Sequence, residues 1–436
     1  MDDRKFVAVR YIHNTHAAFS VDWYIGKRCN FDCTYCVDYL HDSISQHQPL
    51  SKLKQIVDII YDRYGNNVHW SISGGEPTII PWFHELAKYI YEKPLGVREL
   101  SITTNGSRTT EYFTEQLYPY LHNITLSMHF EHISHREDEY VEKIIALENW
   151  RNEWNATQKV IDPKFNMVES DATGFRNKNL LARFMVYPGQ FKRIQRMYTK
   201  LKDAGVEKIE FRYIRPCLGG ANERMPTRML SVGHNHDNDI VDSLKVTGTG
   251  KYLGTVIRDD GITDHQAPDD VIDSKSPDIV KIVQNEEEWY TKNEKERLEK
   301  WYAGEPKKFL KMYFEEDGKI VEDDYHYNQL NFERKNNFEG WTCWAGRVHM
   351  KITPSGDLYV GSCHLGGKLG NIFELGNSAL PTGPLTCAKW RCTDNLDIRV
   401  PKALPGYEHL IKPYVTKPRI LTTLKDWIKN TEHKTK

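Results

Sequence analysis

Cys29-Asn30-Phe31-Asp32-Cys33-Thr34-Tyr35-Cys36 places three thiols in one short loop. A loop of this length can wrap three thiolates around one iron–sulfur cubane and leave one iron without a protein ligand. An open metal position suits a reactive site, whereas a closed set of four ligands is structural. The competing reading is a zinc site completed by His41, but zinc sites favour paired CxxC knuckles. The remaining cysteines are Cys343, Cys363, Cys387 and Cys392, with Cys217 alone between the groups. Three, one and four is not the distribution of a disulfide framework.

Around the trio, short apolar runs alternate with amphipathic stretches, the pattern of βα units on a parallel sheet. Strands are expected at 20–25, 68–73, 99–104, 123–129, 180–187 and 208–214. Leu53, Ile56, Val57, Ile60 and Tyr64 recur at helical spacing, and further helices fit 81–91, 112–120, 136–154 and 190–204. Six such units predict an α/β fold, a partial (β/α)6 TIM-like barrel over 1–217. Residues 218–340 lose the rhythm and read as a long insertion or bridging segment, with charged helical text near 286–301. Two stretches in it, 255–264 and 313–323, read as strand, Asp-Gly turn, strand. A small C-terminal domain at 341–400 is expected to contain a β-hairpin about Pro354-Ser355-Gly356, followed by a basic tail at 401–436.

The chain has 436 residues, 59 basic against 60 acidic, and a net charge of −1. That balance gives no field to draw it to nucleic acid. No apolar run is long enough for a membrane span, and the start Met1-Asp2-Asp3-Arg4 lacks a signal-peptide layout. A cytoplasmic address follows as the expectation, and in a reducing compartment grouped cysteines suggest metal or catalysis.

The octet resembles the CxxxCxΦC motif of the radical S-adenosylmethionine (SAM) superfamily, with Tyr35 as the aromatic residue. The resemblance implies a 4Fe–4S cluster on Cys29, Cys33 and Cys36, with S-adenosylmethionine chelating its open iron. It further implies reductive cleavage to a 5′-deoxyadenosyl radical that abstracts a substrate hydrogen atom. Gly74-Gly75-Glu76-Pro77 is similar to the family's GGE motif, which meets the cofactor's ammonium group. Ser127 is similar to its ribose-contacting hydroxyl. Thr104, Asn105 and Arg183 are candidates for further polar contacts to the cofactor, although strand-end Thr and Asn are also common turn formers.

Cys343-x19-Cys363-x23-Cys387-x4-Cys392 contains no CxxC pair, and four thiolates fill every position of a second 4Fe–4S cluster. With Trp341–Gly346, Ile352–Asp357 and Leu369-Gly370-Asn371, the group resembles the SPASM/twitch extensions of radical SAM enzymes. Four cysteines fit the single-cluster twitch type, with His364 as a candidate substitute ligand. Cys217 reads either as a small buried hydrophobe or as a hydrogen-atom donor to a substrate radical. The resemblance implies an electron donor such as flavodoxin or ferredoxin. It leaves two substrate classes: a peptide to be crosslinked, oxidised or epimerised, or a small molecule such as a sugar or nucleoside. The non-enzymatic alternative is an iron–sulfur binding module.

Overall fold

The computed structural model describes residues 4–12, 19–33, 36, 41–93, 99–133, 136–157, 178–186, 189–213, 290–303, 309–365, 367–375, 384–388, 392 and 395–412. They form two compact units, one from 19–33 and 41–212, the other from 4–12, 36 and 213–412. Tyr35, Cys217 and the expected hairpin at 255–264 lie outside the described residues. Among those described, no helix is long and apolar enough to cross a membrane.

The chain opens with a strand that the alternation pattern did not announce, β1 (Lys5–Tyr11). The six expected strands follow as β2 (Phe19–Tyr24), β3 (Val68–Ser73), β4 (Glu99–Thr104), β5 (Asn123–Met128), β6 (Asn179–Val186) and β7 (Ile209–Tyr213). In the first unit, β2 to β7 lie side by side in chain order, and the pairs from β2 to β6 are parallel. The register aligns Trp23, Ile72, Ile102, Ile124 and Leu180 in one row across five strands. Every side chain in that row is buried, which fixes the register because a one-residue slip would turn the whole row to the other face.

Helix Leu50–Tyr64 buries the five residues picked out by its spacing, and helices Phe83–Tyr91, Glu137–Thr157 and Phe191–Asp203 fill the expected places. The exception is 112–120, expected as one helix. It is a π-turn at Tyr112–Leu117 running into a 3-10 turn at Tyr118–Tyr120. Pro119 offers no backbone N–H to an α-helical ladder. The carbonyls of Tyr118, Pro119 and Leu121 instead accept from Lys178 Nζ at 2.7, 2.9 and 2.8 Å.

The second unit is antiparallel. β8 (Leu310–Glu316) and β9 (Lys319–Tyr325) form the second expected hairpin, with Asp317 and Gly318 both at positive φ in its turn. β10 (Thr342–Cys343), β11 (His349–Ile352), β12 (Asp357–Tyr359), β13 (Gly370–Asn371), β14 (Leu385–Thr386) and β15 (Lys402–Ala403) complete the described strands. One sheet runs β14-β10-β15-β1-β8-β9, while β11, β12 and β13 pair as a meander around the Pro354–Gly356 turn. Thus β1 pairs with β8, from the stretch read as an insertion, and with β15, from the stretch read as a tail. Val7, Val9, Met312, Phe314, Trp341 and Ala403 form its core together with Cys343, Cys387 and Cys392.

Lys178 is buried and donates to three carbonyls, of which Tyr118 O also accepts from Leu121 N at 3.1 Å. Lys178→Met should therefore lower unfolding free energy by about 2–3 kcal/mol, since buried acceptors would lose a charged donor. Denaturant titration of the two proteins checks this; equal midpoints would show that the carbonyls find other donors.

Candidate functional site

The cysteine loop is held by backbone. Beyond the end of β2, Ile25 N donates to Ser73 O at 2.9 Å, Gly75 N to Gly26 O at 2.7 Å, and Glu76 N to Arg28 O at 2.9 Å. The Gly-Gly-Glu turn is thereby zipped onto the three residues that lead into Cys29. A Cβ on Gly75 would stand 2.2 Å from Arg28 O and 2.3 Å from Lys27 O, and one on Gly74 would stand 2.5 Å from Gly26 O. Gly74 also sits at φ +128°, which L side chains rarely adopt. On the far side of the loop, Cys29 N donates to Asp42 O at 2.7 Å and Asp42 N to Lys27 O at 3.0 Å. The Asp42 carboxylate in turn accepts from Ile44 N and Ser45 N. His41, the candidate fourth zinc ligand, has its Nε2 3.2 Å from Asp32 Oδ1.

Glu76 is buried and ties the strand ends together. Its Oε1 accepts from Thr78 N (2.9 Å), Thr78 Oγ1 (2.6 Å) and Thr104 Oγ1 (2.7 Å), and its Oε2 from Asn105 N (2.6 Å). Burial pushes this carboxyl above its ordinary value, against the pull of those donors. Asn105 continues the chain of contacts: its Nδ2 donates to Asn30 Oδ1 at 2.9 Å and lies 4.0 Å from Cys29 Sγ. Glu76, Thr104 and Asn105, expected as cofactor contacts, thus bond to one another and to the cysteine loop. Among the described residues Oε2 of Glu76 accepts from Asn105 alone, so that oxygen retains acceptor capacity.

Cys29 and Cys33 each have a nitrogen close to the sulfur. Phe31 N donates to Cys29 Sγ at 3.4 Å, and His129 Nδ1 lies 3.3 Å from Cys33 Sγ. Burial pushes the His129 imidazole down to about 3, so the ring is neutral. Phe31 stacks on His132 with centroids 4.6 Å apart. Cys33, Glu131 and His132 bring ligand atoms within 4.8 Å of one another, a further set able to hold a metal ion. His129, Glu131 and His132 follow β5 directly, so the rule that sites gather at strand ends could have found them. Cys36 is partly buried. Soft sulfur donors with N–H groups aimed at them suit an iron–sulfur cluster.

Ser127 is buried at the end of β5 and sits opposite Arg183 in the register. Arg183 Nε donates to Glu210 Oε2 at 3.1 Å, a carboxylate that the sequence reading did not single out.

In the second unit, Cys343, Cys363, Cys387 and Cys392 line one small pocket with Ala345, Leu365, Asp397 and Lys402. None of the four forms a disulfide. They come from β10, from the turn after β12, from the end of β14 and from the approach to helix Asn395–Arg399. Burial pushes the Cys343 and Cys392 thiols up, so a bare pocket disfavours thiolates. Burial would also push Lys402 down, but the sulfurs of Cys392 and Cys343, with Asp397 and Cys387, hold its ammonium above the ordinary lysine value. Four soft donors around one apolar pocket with a buried cation suit a thiolate-ligated cluster. His364 turns elsewhere, stacked on Tyr359 at 3.8 Å and with its Nε2 3.1 Å from Lys351 Nζ.

The glycine contacts yield a paired expectation. Gly75→Ala should lower stability by about 1–3 kcal/mol, because the added carbon meets backbone that cannot step aside. Gly26→Ala, whose Cβ would meet nothing within 4 Å, should change it by less than about 0.5 kcal/mol. Thermal melts of the two variants check the contrast, and equal losses would refute the close approach.

Residues 23–180 match the family model described as the radical SAM superfamily. An S-adenosylmethionine-dependent nucleotide dehydratase from Flammeovirga pacifica is 35% identical over 113 residues, 25% of this chain and 38% of that protein. A GTP 3′,8-cyclase from Haemophilus influenzae (strain PittGG) is 23% identical over 193 residues, 42% of this chain and 55% of that one. The chain therefore spans about half or less of the curated relatives it matches. Among solved structures, anSMEcpe with bound AdoMet aligns at a TM-score of 0.41 and 13% identity, covering 83% of this chain and 80% of that one. SuiB of Streptococcus suis bound to precursor peptide SuiA aligns at 0.37 and 14%, covering 82% and 63%. Residues 23–180 are thus similar to the radical SAM superfamily, and this match together with the enzymes among the relatives supports an enzyme.

Proposed function

We propose that the chain is a radical SAM enzyme that uses Cys29, Cys33 and Cys36 to hold a 4Fe–4S cluster and binds S-adenosylmethionine beside it. The observation that carries this reading is the Gly74–Glu76 turn, locked by backbone onto the residues preceding Cys29, inside the matched segment. Once bound, the cluster and cofactor supply a 5′-deoxyadenosyl radical that takes a hydrogen atom from substrate. The chain's own residues orient and shield. Gly74 and Gly75 let backbone approach closely, Glu76 holds Thr104 and Asn105 against the loop, and Ser127 and Arg183 offer polar groups for the ribose and carboxylate. Tyr35 belongs to the same motif. β2 to β7 form the partial (β/α)6 barrel of this reading.

Cys343, Cys363, Cys387 and Cys392 hold a second 4Fe–4S cluster in a twitch-type domain near 341–400, to which β1 and β15 add strands. Electrons come from a donor of the flavodoxin or ferredoxin class in the cytoplasm. For substrate we favour a peptide, because the four-cysteine pocket goes with the twitch-type resemblance, whose members often modify peptides. Cys217 is retained in that reading as a hydrogen-atom donor. A nucleotide is the second reading, favoured by the names of the two curated relatives.

Anaerobically purified protein should carry about eight irons per chain. Replacing Cys29, Cys33 and Cys36 together by Ala should remove roughly half of the iron and all 5′-deoxyadenosine formation. Zinc in place of the remaining iron would overturn the second cluster. Ser127→Ala should keep its iron and bind cofactor more weakly by about 0.5–1.5 kcal/mol, the worth of one hydrogen bond. Deoxyadenosine formation stimulated by nucleotides and not by peptides would decide for the second substrate reading.

A further inference from the structure

Lys402 has no role in the chemistry set out above, yet it is placed with unusual constraint. It sits on β15, directly opposite Cys343 of β10 in an antiparallel register, so the two side chains share one face of the sheet. It is 2% exposed and lines the pocket formed by Cys343, Cys363, Cys387 and Cys392. Its Nζ donates to the carbonyls of Asp397 and, at 2.8 Å, Val400, and lies 5.1 Å from the Phe338 ring centroid. Those partners are neutral. Among the described residues, the other charged or titratable groups there are Asp397, which lines the pocket, and His349, whose Nε2 is 3.5 Å from Asp397 Oδ1. Asp397 Oδ1 also accepts from Ser362 N at 3.1 Å.

A buried ammonium without a counter-charge is strongly unfavourable. Its hydrogen bonds to carbonyls satisfy its donors but do not neutralise it. The neighbours able to do so are the Asp397 carboxylate in the same lining and the sulfurs, once they are thiolates. The converse also holds: four thiolates in an apolar core need a cation close by, and more so when the group they hold gains an electron.

We propose that Lys402 is the fixed counter-charge of the four-cysteine site, raising the reduction potential of the cluster bound there. The proposal rests on the auxiliary-cluster reading above. The step it acts on is the uptake of one electron from an external one-electron donor, with no proton moved and no bond made or broken. Each reduction adds one negative charge to the pocket, and a positive charge alongside favours that state. Asp397, of opposite sign in the same lining, opposes it.

The test is a potentiometric titration of the full-length, cluster-loaded protein, followed by electron paramagnetic resonance of the signal that vanishes in Cys343→Ala. Lys402→Met should lower the reduced-to-oxidised ratio at fixed potential about tenfold, ~59 mV for one electron. Lys402→Arg should keep the wild-type midpoint, and Asp397→Asn should raise it. Opposite shifts on removing opposite charges separate electrostatics from loosened packing, which would move both variants the same way. A Met variant with full iron content and an unchanged midpoint would overturn the proposal. If Lys402→Met fails to retain iron, the Arg and Asn variants decide, and an unmoved midpoint in Asp397→Asn overturns it. The failure of the underlying reading looks different: Cys343→Ala would then hold as much iron as wild type, which removes the cluster and the role of Lys402 with it.

Discussion

The first unit depends on one backbone contact, the pairing of Gly26–Arg28 with Gly75–Glu76. It extends the parallel pairing of β2 and β3 past the point where the strands end, and the chain can approach that closely only because positions 74 and 75 carry no Cβ. Cys29 begins where this zipper stops. Because Asp42 closes the loop from the other side, the first cysteine is fixed by hydrogen bonds on both flanks rather than by side-chain packing. Glu76 then transmits the position of Cys29 to β4 through Thr104 and Asn105. Four hydrogen bonds, from Thr78, Thr104 and Asn105, offset part of the desolvation of this buried carboxyl.

Cys29 and the trio Cys343, Cys387 and Cys392 stand in different surroundings. Cys29 lies on a clamped, partly accessible loop and meets polar N–H groups. Cys343, Cys387 and Cys392 belong to the hydrophobic core of the second unit, next to Trp341, Trp344 and Val360. A site that must admit a cofactor needs an accessible loop and polar directing groups. A site that only stores or passes an electron is better dry, because a low-dielectric lining strengthens the effect of each charge within it. In the dry setting a single buried cation matters far more than in the wet one. The interest of Lys402 follows from that asymmetry rather than from any sequence motif.

Much of the first unit was legible in the sequence. Strand and helix periods told apart the βα units, and the five apolar positions of helix Leu50–Tyr64 are the five it buries. The turn 313–323 was legible because Asp-Gly between alternating strands has few other solutions. The misses have physical causes. Residues 112–120 carry a helical apolar pattern, but Pro119 and the Lys178 cap redirect the backbone. β1 has no βα partner to announce it, since its neighbours β8 and β15 lie about 300 and 400 residues away. That separation is invisible to any local pattern. The four later cysteines were expected to share one cluster and do line one pocket, but the long-range β-pairing that brings them there has no local signal. Glu76 shows a subtler gap: its motif was recognised, while the four protein donors it binds follow only from tertiary structure.

The matched segment 23–180 holds the loop, the zipper and the Glu76 network, the parts that face the cofactor in the proposed function. Similarity confined to such parts follows cofactor chemistry, so relatives named for nucleotide reactions can share it with an enzyme of another substrate class. Substrate choice must come from groups that meet the reacting carbon. In the first unit, Arg183, proposed above as a cofactor contact, is itself held by Glu210. Arg183 sits beside Ser127 in the register, and its guanidinium is engaged by a buried carboxylate from the next strand. An arginine held in that way keeps its charge and its direction, whereas a free one would collapse onto any anion that entered. A fixed donor of this kind selects by geometry, and it acts on a peptide carbonyl as readily as on a phosphate or carboxylate.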